Sequence, residues 1–241
     1  LINTSGNAGA GNITIGENSP YLTNTVRVNP QSTIIANALS SGVGGTIEFY
    51  AAESLYVSGS VIAQGVSEGG TVNMTSPGFL GMDGTVNLFA TIPGTLTLTT
   101  PNLLVGGPIT SYTTSQIPAT ALQSVLANGN VVLDANGTLA GGILTINNPV
   151  TWSSGNTLTL EAVNEIQLYN LLTMSGTVTA SKNVVVIDPL SLFIGPSTTP
   201  TGIVLTSGSI SVDVSDQIIL TGGSVTGSSA LIWTGAGTVD L

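Results

Sequence analysis

The sequence predicts an all-β chain wound as a parallel β-helix, a solenoid of about 25-residue coils with one short helical insertion. Three observations carry that expectation. A Gly-Thr-aliphatic signature recurs at a nearly constant step, short runs alternate apolar and polar residues, and Gly, Asn, Pro and Ser separate those runs. Alternation at period two marks strands with one buried face, and the separators supply turns. A repeat of this size cannot bury its own apolar face, whereas stacked neighbours can.

The step is read most clearly in the first half. Gly45-Thr46-Ile47-Glu48-Phe49 recurs as Gly70-Thr71-Val72-Asn73-Met74, 70 − 45 = 25 residues on, and as Gly94-Thr95-Leu96-Thr97-Leu98, 94 − 70 = 24 further. A second lane keeps time with it: Gly59-Ser60-Val61 and Gly84-Thr85-Val86 are 84 − 59 = 25 apart. Later runs step by 26 and 27, beginning at Asn130, Asn156 and Asn183. Those three asparagines are expected to form a structural ladder of side-chain amides at a corner, since Asn tolerates turn geometry. The halves also match at a constant offset of 111, with Thr46, Ile47, Phe49, Ala51, Leu55 and Val57 over Thr157, Leu158, Leu160, Ala162, Ile166 and Leu168. The expected product is one continuous rod over residues 1–241, of about nine or ten coils and roughly 45 Å long.

One segment breaks the rhythm. Residues 116–129 contain Leu122, Val125 and Leu126 at helical spacing, with Pro118 suited to a first turn and Gly129 to a stop. A short helical insertion lying on the side of the rod is expected there.

Composition narrows the chemistry. Charged residues are 6% of the chain, against about a quarter in ordinary soluble domains. Arg27 and Lys182 are the only basic side chains, and the net charge is −10. Nucleic-acid binding is excluded, because phosphate backbones need clustered cations. The absence of Cys and His removes disulfides, thiolate chemistry and His-based zinc sites. No run of about 18 apolar residues suggests a transmembrane helix, and eleven aromatics are too few for the two girdles of a membrane barrel.

No catalytic, cofactor-binding or metal-ligating residue stands out. A glycosidase needs two carboxyls flanking a sugar, and Glu48 meets Asn73 and Thr97 in the adjacent repeats. Glu161 and Glu165 read as solvated acids at a corner, and Trp152 and Trp233 as packing residues.

The stretch LQSVLANGNVVL, followed by Val150-Thr151-Trp152-Ser153-Ser154-Gly155-Asn156-Thr157-Leu158-Thr159-Leu160 and then Ala162 and Ile166, resembles filamentous-haemagglutinin-like exoproteins of two-partner secretion systems. GGTIEFYAAESLYVSGSVIAQG is similar to the strand-Ala-strand coils of that family. The resemblance spans about two thirds of the chain. It implies a right-handed β-helix and an exported, surface-associated product.

The expected function is therefore mechanical: a non-enzymatic extracellular rod, structural or adhesive, needing no cofactor. Both ends look like uncharged strand, Asn12, Ile13 and Ile15 at one and Leu231, Ile232 and Val239 at the other. Exposed strand edges pair readily, so these residues are expected to join copies end to end into a homopolymeric filament, or to continue a longer rod. A host or surface glycan is a further expected partner. The rival expectations are a polysaccharide-active β-helix enzyme and a glycan-binding spike module.

Overall fold

Each Gly-Thr-aliphatic run opens a strand, and in the computed structural model of the chain these strands stack in register. Thr46 pairs with Thr71 and Thr71 with Thr95; Ile47 lies level with Val72 and Leu96. The structure describes residues 1–17, 23–135 and 142–169, the side chain of Glu165 excepted, and beyond them the backbone of the later strands.

The described strands form a parallel β-helix of three sides. The first side is a sheet running from Ile13–Ile15 through Thr46–Tyr50, Thr71–Thr75, Thr95–Thr99, Asn130–Ala135, Leu158–Ala162, Val184–Ile187 and Ile210–Val212 to Val239–Asp240. The second runs from Thr25–Val28 through Ser54–Val57 and Phe79–Met82 to Gln217–Leu220. The third is split into two sheets, Ile2–Asn3 to Thr85–Asn87 and Val150–Trp152 to Leu231–Trp233. Every recorded pairing on the first side is parallel, as a chain that always returns in the same direction requires.

Alternation decides what each strand buries. Ile47, Val72, Leu96, Val131 and Leu158 form one inward column and Phe49, Met74, Leu98, Leu133 and Leu160 the next, all buried. Full burial of each such side chain contributes about 1.5–3 kcal/mol. The half-to-half offset of 111 is explained directly, because Thr157 lies in the same outward lane as Thr46, joined through Thr71, Thr95 and Asn130. Where the first side turns into the second, the inward lane is Ala51, Ser76, Thr100, Ala135 and Ala162, all buried. Only small residues occupy that corner.

The recurrent glycine is a spacing residue. A Cβ at Gly70 would sit 2.1 Å from the carbonyl oxygen of Gly45, and one at Gly94 would sit 2.1 Å from that of Gly70. The same oxygens accept hydrogen bonds from Thr71 and Thr95, each at 3.1 Å. A side chain at the glycine would occupy the space through which adjacent coils bond.

The expected insertion at 116–129 is set into the wall and does not lie on its side. Gln116–Pro118 is a strand, slotted between Phe79–Met82 and Asn102–Gly106 on the second side. The helix Ala119–Leu126 follows, with Pro118 as its N-cap and not within its first turn. It packs between Thr85–Asn87 and Val150–Trp152, taking the place of a third-side strand. Leu122, Val125 and Leu126 are fully buried and extend the core where the inward strand residues stop. This coil takes 130 − 95 = 35 residues to return to the first side, against 25 and 24 for the two before it. The extra length makes an additional rung and a helix.

Candidate functional site

The asparagines expected to stack do separate jobs. Register places Asn130 level with Thr157, since Val131 pairs with Leu158, so Asn156 falls one residue earlier. The Asn130 Oδ1 accepts the Thr157 N–H at 2.9 Å, and its Nδ2 donates to the Pro93 carbonyl at 3.4 Å, tying three coils together. Asn156 is buried and donates from Nδ2 to the Leu126 carbonyl at 2.7 Å, where the Ser154 hydroxyl also donates. Asn156 thus closes the helix C-terminus, whose last carbonyls lack helical partners. Asn183 lies outside the described residues. Trp152 is buried and donates its indole N–H to the Asn156 carbonyl at 3.0 Å, so it braces this corner and offers no face to a ligand. The side chain of Trp233 lies outside the described residues.

The residues expected at the assembly ends fall on or beside terminal rungs. Ile13–Ile15 pairs only with Thr46–Tyr50, and Thr25–Val28 only with Ser54–Val57, leaving one edge of each open within the described residues. Ile13 is buried and Ile15 half-buried; Asn12 instead turns inward, its Oδ1 accepting the Thr46 N–H at 3.4 Å, as Asn130 does for Thr157. Leu231 and Ile232 lie in the last rung of the third side, and Val239 in the last of the first.

Two acids stack where the sequence suggested solvated corners. Asp134 pairs in register with Glu161 one coil away, and Asp134 Oδ2 accepts the Thr99 hydroxyl at 3.2 Å. Burial first, and then the Asp134 charge, hold the Glu161 carboxyl above its ordinary range. The pair sits side by side on one wall, about 4.8 Å apart along the stack, and not on opposite flanks of a bond to be broken. A shallow groove of ≈ 440 Å³ on the same side is lined by Glu17, Glu48, Tyr50, Asn73 and several threonines. Among the described residues no group of three or more acids could hold a metal ion, and no helix is long and apolar enough to cross a membrane.

The second side carries an aromatic shelf for which no spacing in the sequence gave a signal. After Asn102–Gly106 the chain leaves the coil and returns at Gln116, and on the way Tyr112 lies over two earlier coils. Its ring packs edge-on against Tyr56, centroids 5.4 Å apart, and against Phe79, 5.3 Å apart. Gly81 makes room: a Cβ there would meet both the Phe79 and Tyr56 rings at under 3 Å. The Tyr56 hydroxyl donates to Asp83 Oδ2 at 2.7 Å, and the Arg27 guanidinium carbon stands 5.3 Å from the Tyr56 ring centre. Burial, then the hydrogen bond and charge of Asp83, push the Tyr56 phenol up to about 12, against a smaller opposing pull from Arg27.

No family model matches the chain, and neither the curated proteins nor the solved structures contain a significant match to it.

Proposed function

We propose that the chain is a non-enzymatic extracellular rod, structural or adhesive and of the filamentous-haemagglutinin-like kind, serving as a subunit or segment of a cell-surface filament. The observation that carries this reading is the run of parallel strands ending on edges paired on one side only. An unpaired parallel edge is a template for another strand. The next rung comes from a second copy or from further coils of the same polypeptide, and the hydrogen-bonding geometry is the same in both cases. The resemblance of 116–181 to surface exoproteins supports the location. A passive scaffold also suits a wall whose outward lanes are mainly hydroxyls and amides, such as Thr46, Thr71, Thr95 and Asn130.

Negative-stain microscopy of the concentrated chain tests the assembly. Filaments are expected, and Thr14→Pro, at an exposed position on the terminal rung, should reduce them without changing the far-ultraviolet spectrum, since Pro on an edge strand blocks pairing. A chain that stays monomeric and fibre-free at high concentration sinks end-to-end pairing. The stacked Asp134 and Glu161 favour the rival reading of a polysaccharide-active enzyme; turnover on a panel of pectin, alginate and glycans, lost in Asp134→Asn, would establish that reading instead.

A further inference from the structure

We propose that the shelf of Tyr112, Tyr56 and Phe79, flanked by Asp83 and Arg27, is a carbohydrate-binding subsite that stacks a neutral pyranose on Tyr112. The inference deepens the adhesive reading above and rests on it only for the location of the chain.

Tyr112 is 54% exposed, although Tyr56 and Phe79 hold its ring from beneath. A residue needed only to cover Gly81 would lie flat over it. This ring stands nearly perpendicular to both neighbours, at 85° and 77°, and so keeps surface free for a partner. A pyranose offers a matching shape: a patch of C–H groups that sits on the negative face of an aromatic ring, with hydroxyls around its rim that need hydrogen-bond partners.

Those partners are present beside the ring. Asp83 is exposed and uses Oδ2 for the Tyr56 hydroxyl, which fixes its rotamer and leaves Oδ1 to accept from a sugar hydroxyl. Arg27 donates through Nε to Asn29 Oδ1 at 3.2 Å and makes no ion pair among the described residues, so its terminal N–H groups are donors toward a sugar oxygen. Asp83 also lines a recess of ≈ 520 Å³, with Pro108, Ile109, Ser124 and Asn148 among its other walls. That volume is in the usual range of small-ligand sites and places a cavity next to the stacking ring for a second residue of the glycan.

The excursion that carries Tyr112 is fastened before any ligand arrives. Gln116 Nε2 donates to the Gly107 carbonyl at 2.7 Å across its base, and the Ser111 and Thr113 hydroxyls bond at 2.8 Å on either side of the tyrosine. At its end the Ser115 hydroxyl accepts the Leu80 N–H at 3.0 Å. A rigid aromatic platform loses little conformational entropy on binding. The choice of a neutral sugar follows from charge: the chain carries −10 overall, and Asp83 stands at the shelf itself. A carboxylated sugar would meet repulsion from both. In a filament the shelf would recur once per subunit, and many weak sites would bind a glycan surface by avidity.

The test is binding of the full chain to an array of immobilised oligosaccharides ending in glucose, galactose, mannose or N-acetylglucosamine, with sialylated and uronic-acid arms alongside. The chain should bind at least one neutral arm. Tyr112→Ala and Asp83→Asn should each weaken that binding by about tenfold or more, Tyr112→Trp should retain it, and Tyr50→Ala, on the first side, should leave it unchanged. The Trp and Asn variants decide the matter if Tyr112→Ala alters the circular dichroism spectrum. Binding to no arm, binding only to carboxylated arms, or equal binding by the Ala and Asn variants overturns the proposal. Micrographs of the same preparation separate the two readings: filaments without sugar binding remove the shelf and keep the rod, and sugar binding without filaments does the reverse.

Discussion

Replacing Gly70 by Ala tests the spacing role of the recurrent glycine. The added Cβ would lie 2.1 Å from the Gly45 carbonyl oxygen, whereas ordinary contact begins at 3.4 Å, so one coil must move by 3.4 − 2.1 = 1.3 Å. That oxygen accepts the Thr71 N–H at 3.1 Å, and a shift of this size takes the pair beyond about 4 Å, past any useful hydrogen bond. The lost bond removes about 1 kcal/mol, an unsatisfied buried group adds about 1–3 kcal/mol, and forcing extra volume into a packed wall typically costs about 1–3 kcal/mol. Partial relaxation offsets some of this, and a net loss of about 3 kcal/mol is expected. Urea denaturation followed by far-ultraviolet circular dichroism measures it. Gly107→Ala is the control, since a Cβ there meets nothing within 4 Å, and it should stay within about 0.5 kcal/mol of the parent. If Gly70→Ala also stays within that margin, the coils do not approach one another as described.

Phe49→Ala should cost about 3–5 kcal/mol in the same assay, because the ring is buried in the inward column between coils and its loss leaves a cavity. Tyr56, raised to about 12, should ionise later than an ordinary tyrosine in an absorbance titration, and Asp83→Asn should bring it down. Because its folded value exceeds the unfolded one, the stability it contributes is complete below about pH 10 and fades as pH rises toward 12. The same sign applies to Glu161, whose carboxyl is raised by burial and by Asp134: stability should decline as pH rises from the ordinary glutamate range through its folded value. Glu161→Gln should abolish that decline and raise stability at neutral pH; an unchanged pH profile would show that the stacked pair is fully solvated.

Within the described residues, the repeat and its register were legible because a stacked coil sees nearly the same surroundings as its neighbour. Selection for the same inward Ile, Val or Leu and the same close-approach glycine writes the step of 24 or 25 into the chain, as Gly45, Gly70 and Gly94 record. The helix was legible from Leu122, Val125 and Leu126, but its place in the wall was not. Whether an amphipathic segment lies on a rod or replaces one of its strands depends on the vacancy between Thr85–Asn87 and Val150–Trp152. The asparagine lane was misaligned by one residue because the steps of 26 and 27 between the asparagines do not follow the pairing, which runs from Val131 to Leu158.

What the sequence determined by itself was the period, the buried face of each strand and the exclusion of chemistries that need His, Cys or clustered cations. Those properties are local or compositional, and periodicity alone expresses them. The tertiary structure alone decided that Tyr112 meets Tyr56 and Phe79, that Asp134 stands beside Glu161, and that Asn156 closes a helix. Each of these contacts depends on the path of one irregular 35-residue coil, and a path taken once leaves no repeat from which to read it.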